Sequence, residues 1–191
     1  MKARVDLVTD NLREIIVHSF SQATVVFADI VQFTRFSAGM PLERLVAVLN
    51  QILTDFNSIT DERGLEKIET IGDANMSDAG LPTLSADHAT RAVQTALDMI
   101  DAVARFNASS GYTSELRICV NNGAVVAGGI EKRKFIYDLR GDAVNIASRM
   151  KSQGVAGRVQ VTEATQRLLG DTFEFEERGT IPTKGTGQVH I

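Results

Sequence analysis

The sequence predicts an α+β domain, and three observations carry that expectation. An apolar run, Ala23 to Ile30, breaks off at a carboxylate, as a strand does when it leaves a core. Two short strand-like stretches meet at a tight Gly72-Asp73 turn. Two long amphipathic stretches, over roughly 41–63 and 86–110, have the apolar spacing of helices that cover one face of a sheet.

Taken in order, residues 1–20 place Leu7, Leu12, Ile15, Ile16 and Phe20 at near-helical intervals. This predicts a helical connector, the end of an upstream signalling helix, with the domain proper over 21–191. The strand 23–30 follows. Pro41 then opens a helix whose Leu45, Leu49, Ile52, Leu53 and Phe56 share a stripe, and Gly64 stops it. Glu66 to Gly72 and Ala74 to Leu81 read as a hairpin, the second strand unusually polar with Asn75, Ser77 and Asp78. A helix after Ser85 turns Ala92, Ala96, Met99, Val103 and Phe106 inward and ends near Gly111. The segment 115–120 is a strand. This order is the ferredoxin-like βαββαβ core, an antiparallel sheet with two helices on one face. Additional C-terminal elements are expected: strands over 124–130 and 134–139, a helix over 142–151, a strand over 158–161, a helix over 162–169 and a β section from Phe173.

Charge narrows the function. Twenty Lys and Arg against 24 Asp and Glu leave a net charge of −4, which excludes nucleic-acid or anionic-membrane binding by bulk charge. The one cysteine, Cys119, lies in the apolar Leu116-Arg-Ile-Cys-Val120 and reads as a core residue. No apolar run is long enough to span a bilayer, so a cytoplasmic setting is expected, including as the cytosolic part of a membrane-attached parent.

The candidate chemistry begins with Asp29 and Asp73. An aspartate after a strand more often caps a turn than binds anything. Here, however, the βαββαβ connectivity sets the end of the first strand beside the hairpin, so the two carboxylates should be neighbours and form a hard-oxygen site for Mg²⁺. A second cluster lies in 141–150, where Asn145 and Arg149 are four apart and share a helix face next to Gly141. A guanidinium suits a phosphate in which charge is building up, and an amide can orient a ribose oxygen. Lys184, between Thr183 and Gly185, adds a cation on a loop.

The segments Phe27-Ala-Asp-Ile-Val-Gln-Phe-Thr34, Glu69-Thr-Ile-Gly-Asp73, Tyr137-Asp-Leu-Arg-Gly-Asp-Ala-Val-Asn-Ile-Ala-Ser-Arg-Met150 and Lys184-Gly together resemble the catalytic domain of class III nucleotidyl cyclases, the adenylyl and guanylyl cyclases. The resemblance implies a head-to-tail homodimer under an upstream sensor, acting on ATP or GTP. It implies that Asp29, Asp73 and the Ile30 carbonyl hold two divalent cations, Mg²⁺ or Mn²⁺, with Phe33 and Thr34 beside the substrate. The partner's matching positions would supply Asn145 for the ribose, Arg149 for the α-phosphate and Lys184 for the outer phosphates. Glu69 and Asp138 fall where the family reads the purine, and they are a mixed pair: Glu69 suits guanine, Asp138 adenine's amino group. Gln32 stands where glycine is common and Asn75 where an aromatic is common. The alternative is a nucleotide-binding or dimerising regulatory domain with little or no turnover.

Overall fold

The computed structural model describes residues 5–8, 15–33, 37–129, 137–183 and 187–191. In chain order the elements are β1 (Val5–Val8), β2 (Ile15–Ile30), α1 (Leu42–Glu62), β3 (Glu66–Ile71), β4 (Ala74–Ala79), α2 (His88–Ser110), β5 (Leu116–Gly129), β6 (Tyr137–Arg140), α3 (Asp142–Ser152), β7 (Arg158–Val161), α4 (Glu163–Leu169), β8 (Thr180–Thr183) and β9 (Gly187–His190).

The main sheet runs β3-β4-β2-β5-β6, with β1 on β2, β7 parallel to β5, and β8-β9 a separate hairpin. The order β3-β4-β2-β5 is the expected ferredoxin-like one. Helices α1 and α2 cover one face, where Ile52, Phe56, Ala96 and Met99 pack on Val26, Ala28, Ile118 and Val120. Their ends follow local chemistry, since Gly64 and Gly111 take the left-handed conformation after each last turn. On the opposite face α3 lays Ala143 and Ala147 on Val25, Phe27, Val125 and Ala127. Gly141, at φ 143°, lets that helix start against β5, where a side chain's first carbon would stand 2.8 Å from the Ala124 carbonyl.

Two expectations need correction. The lead over 1–20 is not helical where it is described: Val5–Val8 is a strand, and residues 15–20 begin β2, paired with β1 and with residues 125–128 of β5. The β-branched Val5, Val8, Ile15, Ile16 and Val17 favour that outcome, and pairing with a distant strand overrides a weak helical spacing. Second, 115–120 and 124–130 are not two strands, because Leu116–Gly129 is continuous. The polar Asn121 and Asn122 survive mid-strand because neighbouring elements use them. Asn121 donates to the Ala143 carbonyl at 2.9 Å and accepts from Thr162 at 2.8 Å, while the Asn122 side-chain oxygen accepts from Thr24 at 3.3 Å and its backbone amide donates to Thr165 at 2.9 Å. Thr162, expected inside the last helix, is instead its cap and accepts from the Thr165 amide.

Candidate functional site

Strand register brings the two acids together. Asp29, the penultimate residue of β2, lies opposite Ala74 on β4 and Arg117 on β5. Asp73 immediately precedes Ala74 in the turn made by Gly72 at φ 65°. Burial and then the charge of Asp29 push the Asp73 carboxyl above the usual range, while the turn's own amide and Lys151 pull it back down. Like charges held this close favour a divalent cation between them. Two carboxylates and the last carbonyl of β2 are hard oxygen donors of the kind Mg²⁺ and Mn²⁺ take, the other positions falling to water and phosphate. Among the described residues no group of three or more His, Cys, Asp or Glu side chains could hold a metal ion together.

Sequence reasoning missed two partners of Asp29. Arg117 donates to its Oδ2 at 2.6 Å, and the Lys151 ammonium stands 3.4 Å from its Oδ1. Lys151 comes from the far end of α3, 122 positions along the chain, where no local signal announces it. Arg117 faces Asp29 across β2–β5, which only register reveals.

Lys151 also fixes how α3 is turned. With about 100° per residue, Ala143, Ala147, Met150 and Lys151 form the stripe that meets the chain's own sheet, and the first three are buried. Asn145 and Arg149 lie toward the other side of the helix, about 175° and 145° from the middle of that stripe. Asn145 is exposed and Arg149 half-buried. The helix therefore points one cation at its own Asp29 and presents the amide and guanidinium away from it.

Glu69 is exposed on β3 opposite Met76, which in turn lies opposite Phe27. Ile71, Ala74 and Asp29 form the adjacent row on the same face. Glu69 thus shares the acids' face, two strands away, about 10 Å. Asp138 pairs with Gly128 on β5, and its strand β6 lies against β3, the strand of Glu69, so these two positions belong to one region of the same chain. Ile30 is buried at the end of β2, and Phe33 packs against the core under α1 and α2. Gln32 has φ 53°, a left-handed backbone that explains why glycine suits this position. Thr34 and Lys184 lie outside the described residues. Cys119 is buried and its thiol is pushed up to about 12 by burial, so it is a core residue and no nucleophile.

A sheet ending in two neighbouring carboxylates, with an amide and a guanidinium toward the outer side of a covering helix, carries groups chemically suited to phosphate and hard cations. Comparison with known proteins gives the family. Residues 15–191 match the adenylate and guanylate cyclase catalytic domain, and the chain belongs to that family. It is 39% identical over 175 residues to an adenylate cyclase of Mycobacterium tuberculosis, covering 92% of this chain and 40% of that protein. It is 37% identical over 177 residues to the membrane guanylyl cyclase of Dictyostelium discoideum, covering 93% of this chain and 12% of that protein. The chain therefore spans well under half the length of these relatives. Among solved structures it resembles the guanylate cyclase domain of RhGC from Catenaria anguillulae in complex with GTP, with a TM-score of 0.85 and 34% identity over 90% of this chain and 94% of that one.

Proposed function

We propose that the chain is a purine nucleotidyl cyclase domain that works as a head-to-tail homodimer and converts ATP or GTP to the 3′,5′-cyclic monophosphate and pyrophosphate. The observation that carries this is the division of the site residues. Asn145 and Arg149 are turned away from the chain's own Asp29. The site is incomplete in one chain and is completed by a second copy laid against the α3 face.

Two divalent cations held by Asp29, Asp73 and the Ile30 carbonyl would activate the 3′-hydroxyl and neutralise the departing pyrophosphate. The protein's own part is positioning and charge. The 3′-oxygen bonds to the α-phosphorus as the bond to the β-phosphate oxygen breaks, and both ends belong to one nucleotide. The partner's Asn145 orients the ribose so that this oxygen lies in line. The partner's Arg149 and Lys184 stabilise the charge on the α-phosphate and on the leaving group, while Phe33 and Thr34 border the triphosphate. No protein nucleophile is needed, in keeping with the inert Cys119.

For the base, Glu69 accepts from guanine's ring N–H and amino group, while Asp138 accepts from adenine's amino group and repels guanine's oxygen. Each purine gains one contact and loses another, each worth about 1–3 kcal/mol. Discrimination between the two bases should therefore be modest. By this reading the chain is the catalytic part of a longer protein that carries an upstream sensor. The test is incubation of the purified chain with ATP or GTP and Mn²⁺. Cyclic product with stoichiometric pyrophosphate is expected; nucleotide binding without cyclic product would establish the regulatory alternative.

A further inference from the structure

The metal-binding reading leaves Lys151 without a task, and its surroundings suggest one. Its ammonium stands 3.4 Å from Asp29 Oδ1 and 6.0 Å from the centre of the Phe27 ring, over its face. Phe27 and Asp29 are two apart on β2, so they project on the same side and offer one cation a carboxylate and a π face together. The side chains are largely enclosed, 20% exposed for Lys151 and 9% for Asp29. The ammonium's field also reaches the second acid, where it offsets part of the repulsion between the carboxyls. Arg117 occupies the other oxygen of Asp29 through a bond from the neighbouring strand. Arg117 is thus part of the sheet, whereas Lys151 is a flexible side chain reaching in from the last turn of α3.

We propose that Lys151 is an internal counter-cation of the carboxylate pair: it holds Asp29 while no divalent ion is bound and must withdraw when one enters, so it sets the cation concentration at which the site fills. This inference rests on the assignment of Asp29 and Asp73 as the metal carboxylates. The Phe27 ring gives the ammonium a resting place during withdrawal, and the four-carbon stem allows the movement without displacing α3. A lysine serving only to dock α3 would contribute to folding and leave cation affinity alone.

The two roles separate in direct binding of Mn²⁺ to the full chain without nucleotide, followed by the loss of the free-ion paramagnetic resonance signal. Lys151→Met, checked for fold by circular dichroism, should bind Mn²⁺ at least about fivefold more tightly than wild type. Its melting temperature should be lower without Mn²⁺ and rise more steeply as Mn²⁺ is added. Lys151→Arg, which keeps the charge, should stay near wild type and serves as the reference if the methionine variant does not fold, in which case Lys151→Gln takes its place. Unchanged or weaker Mn²⁺ binding in a folded, uncharged variant overturns the proposal. Asp29→Asn tests the assignment beneath it. If this change leaves Mn²⁺ binding intact, the metal reading fails. If it abolishes binding while Lys151→Met changes nothing, only the role of Lys151 fails.

Discussion

Asp29 and Asp78 are both buried, on adjacent strands and on the same face of the sheet, yet they have been given opposite surroundings. Asp29 is 6% exposed and is met by a guanidinium at 2.6 Å and an ammonium at 3.4 Å. Asp78 is fully buried opposite Val25, and no donor completes a well-formed hydrogen bond to either oxygen; the Leu81 amide is near enough only to moderate the effect. Burial therefore lifts Asp78 to about 8, with Glu66 across β3–β4 adding to the rise. The carboxyl proposed to meet cations is provided with positive charge, and the one in the sheet interior holds a proton. The contrast shows that burial alone does not mark a working acid. Partners do.

The largest effect expected from breaking this contrast is at Asp29. Asp29→Ala should lower the cyclisation rate by about a thousandfold or more, as loss of a metal carboxylate does, whereas Asp78→Asn should keep most of it. Measuring kcat for both under saturating Mn²⁺ checks the assignment, and comparable losses would erase the distinction. Arg149→Ala should cost about a hundred- to a thousandfold in kcat with little change in KM, since its contact strengthens as charge builds on the phosphate.

A smaller effect sharpens the comparison through pH. Asp78 has a folded-state value near 8 against 3.8 in an unfolded chain, so its favourable contribution is complete below about pH 4 and is lost as pH rises toward 8. The steepest loss is about 1.4 kcal/mol per pH unit. His88 acts in the other direction: buried and bonded through Nδ1 to Thr24 at 2.6 Å, it is held below its usual range chiefly by burial, so its contribution is present above about pH 6.5 and fades on acidification. Urea unfolding of wild type and Asp78→Asn at pH 5.5 and 8.5 isolates the aspartate, because the histidine term cancels between them. The advantage of the asparagine variant over wild type should be larger at pH 8.5 than at pH 5.5. A constant difference would show that Asp78 does not titrate in the fold. Smallest is a change of preference: Glu69→Lys should move the ATP/GTP ratio of kcat/KM toward ATP by roughly 5- to 150-fold, and an unmoved ratio would mean Glu69 does not touch the base.

What the sequence made legible follows from the range of the forces involved. The βαββαβ core was readable because helix stripes and the Gly72-Asp73 turn are local patterns, and the adjacency of Asp29 and Asp73 followed from connectivity alone. The strand over 15–20 was not, because the spacing of Leu12, Ile15, Ile16 and Phe20 fits either element and the deciding partner, residues 125–128, lies over a hundred positions away. The continuity of β5 was hidden behind Asn121 and Asn122, which look like a break until Ala143, Thr162 and Thr165 satisfy them. The polar stretch Asn75-Met-Ser-Asp78 gave no hint that every residue of β4 is buried. Arg117 and Lys151, which set Asp29 apart from Asp78, are visible only once the sheet and α3 are assembled.

A site divided between two chains is tested most directly by mixing inactive chains. Asp29→Ala and Arg149→Ala, each folded and each silent alone, should on equal mixing and exchange recover about a quarter of the wild-type rate, because half the dimers then hold one intact site in two. Continued silence in dimers shown to contain one chain of each kind would contradict it.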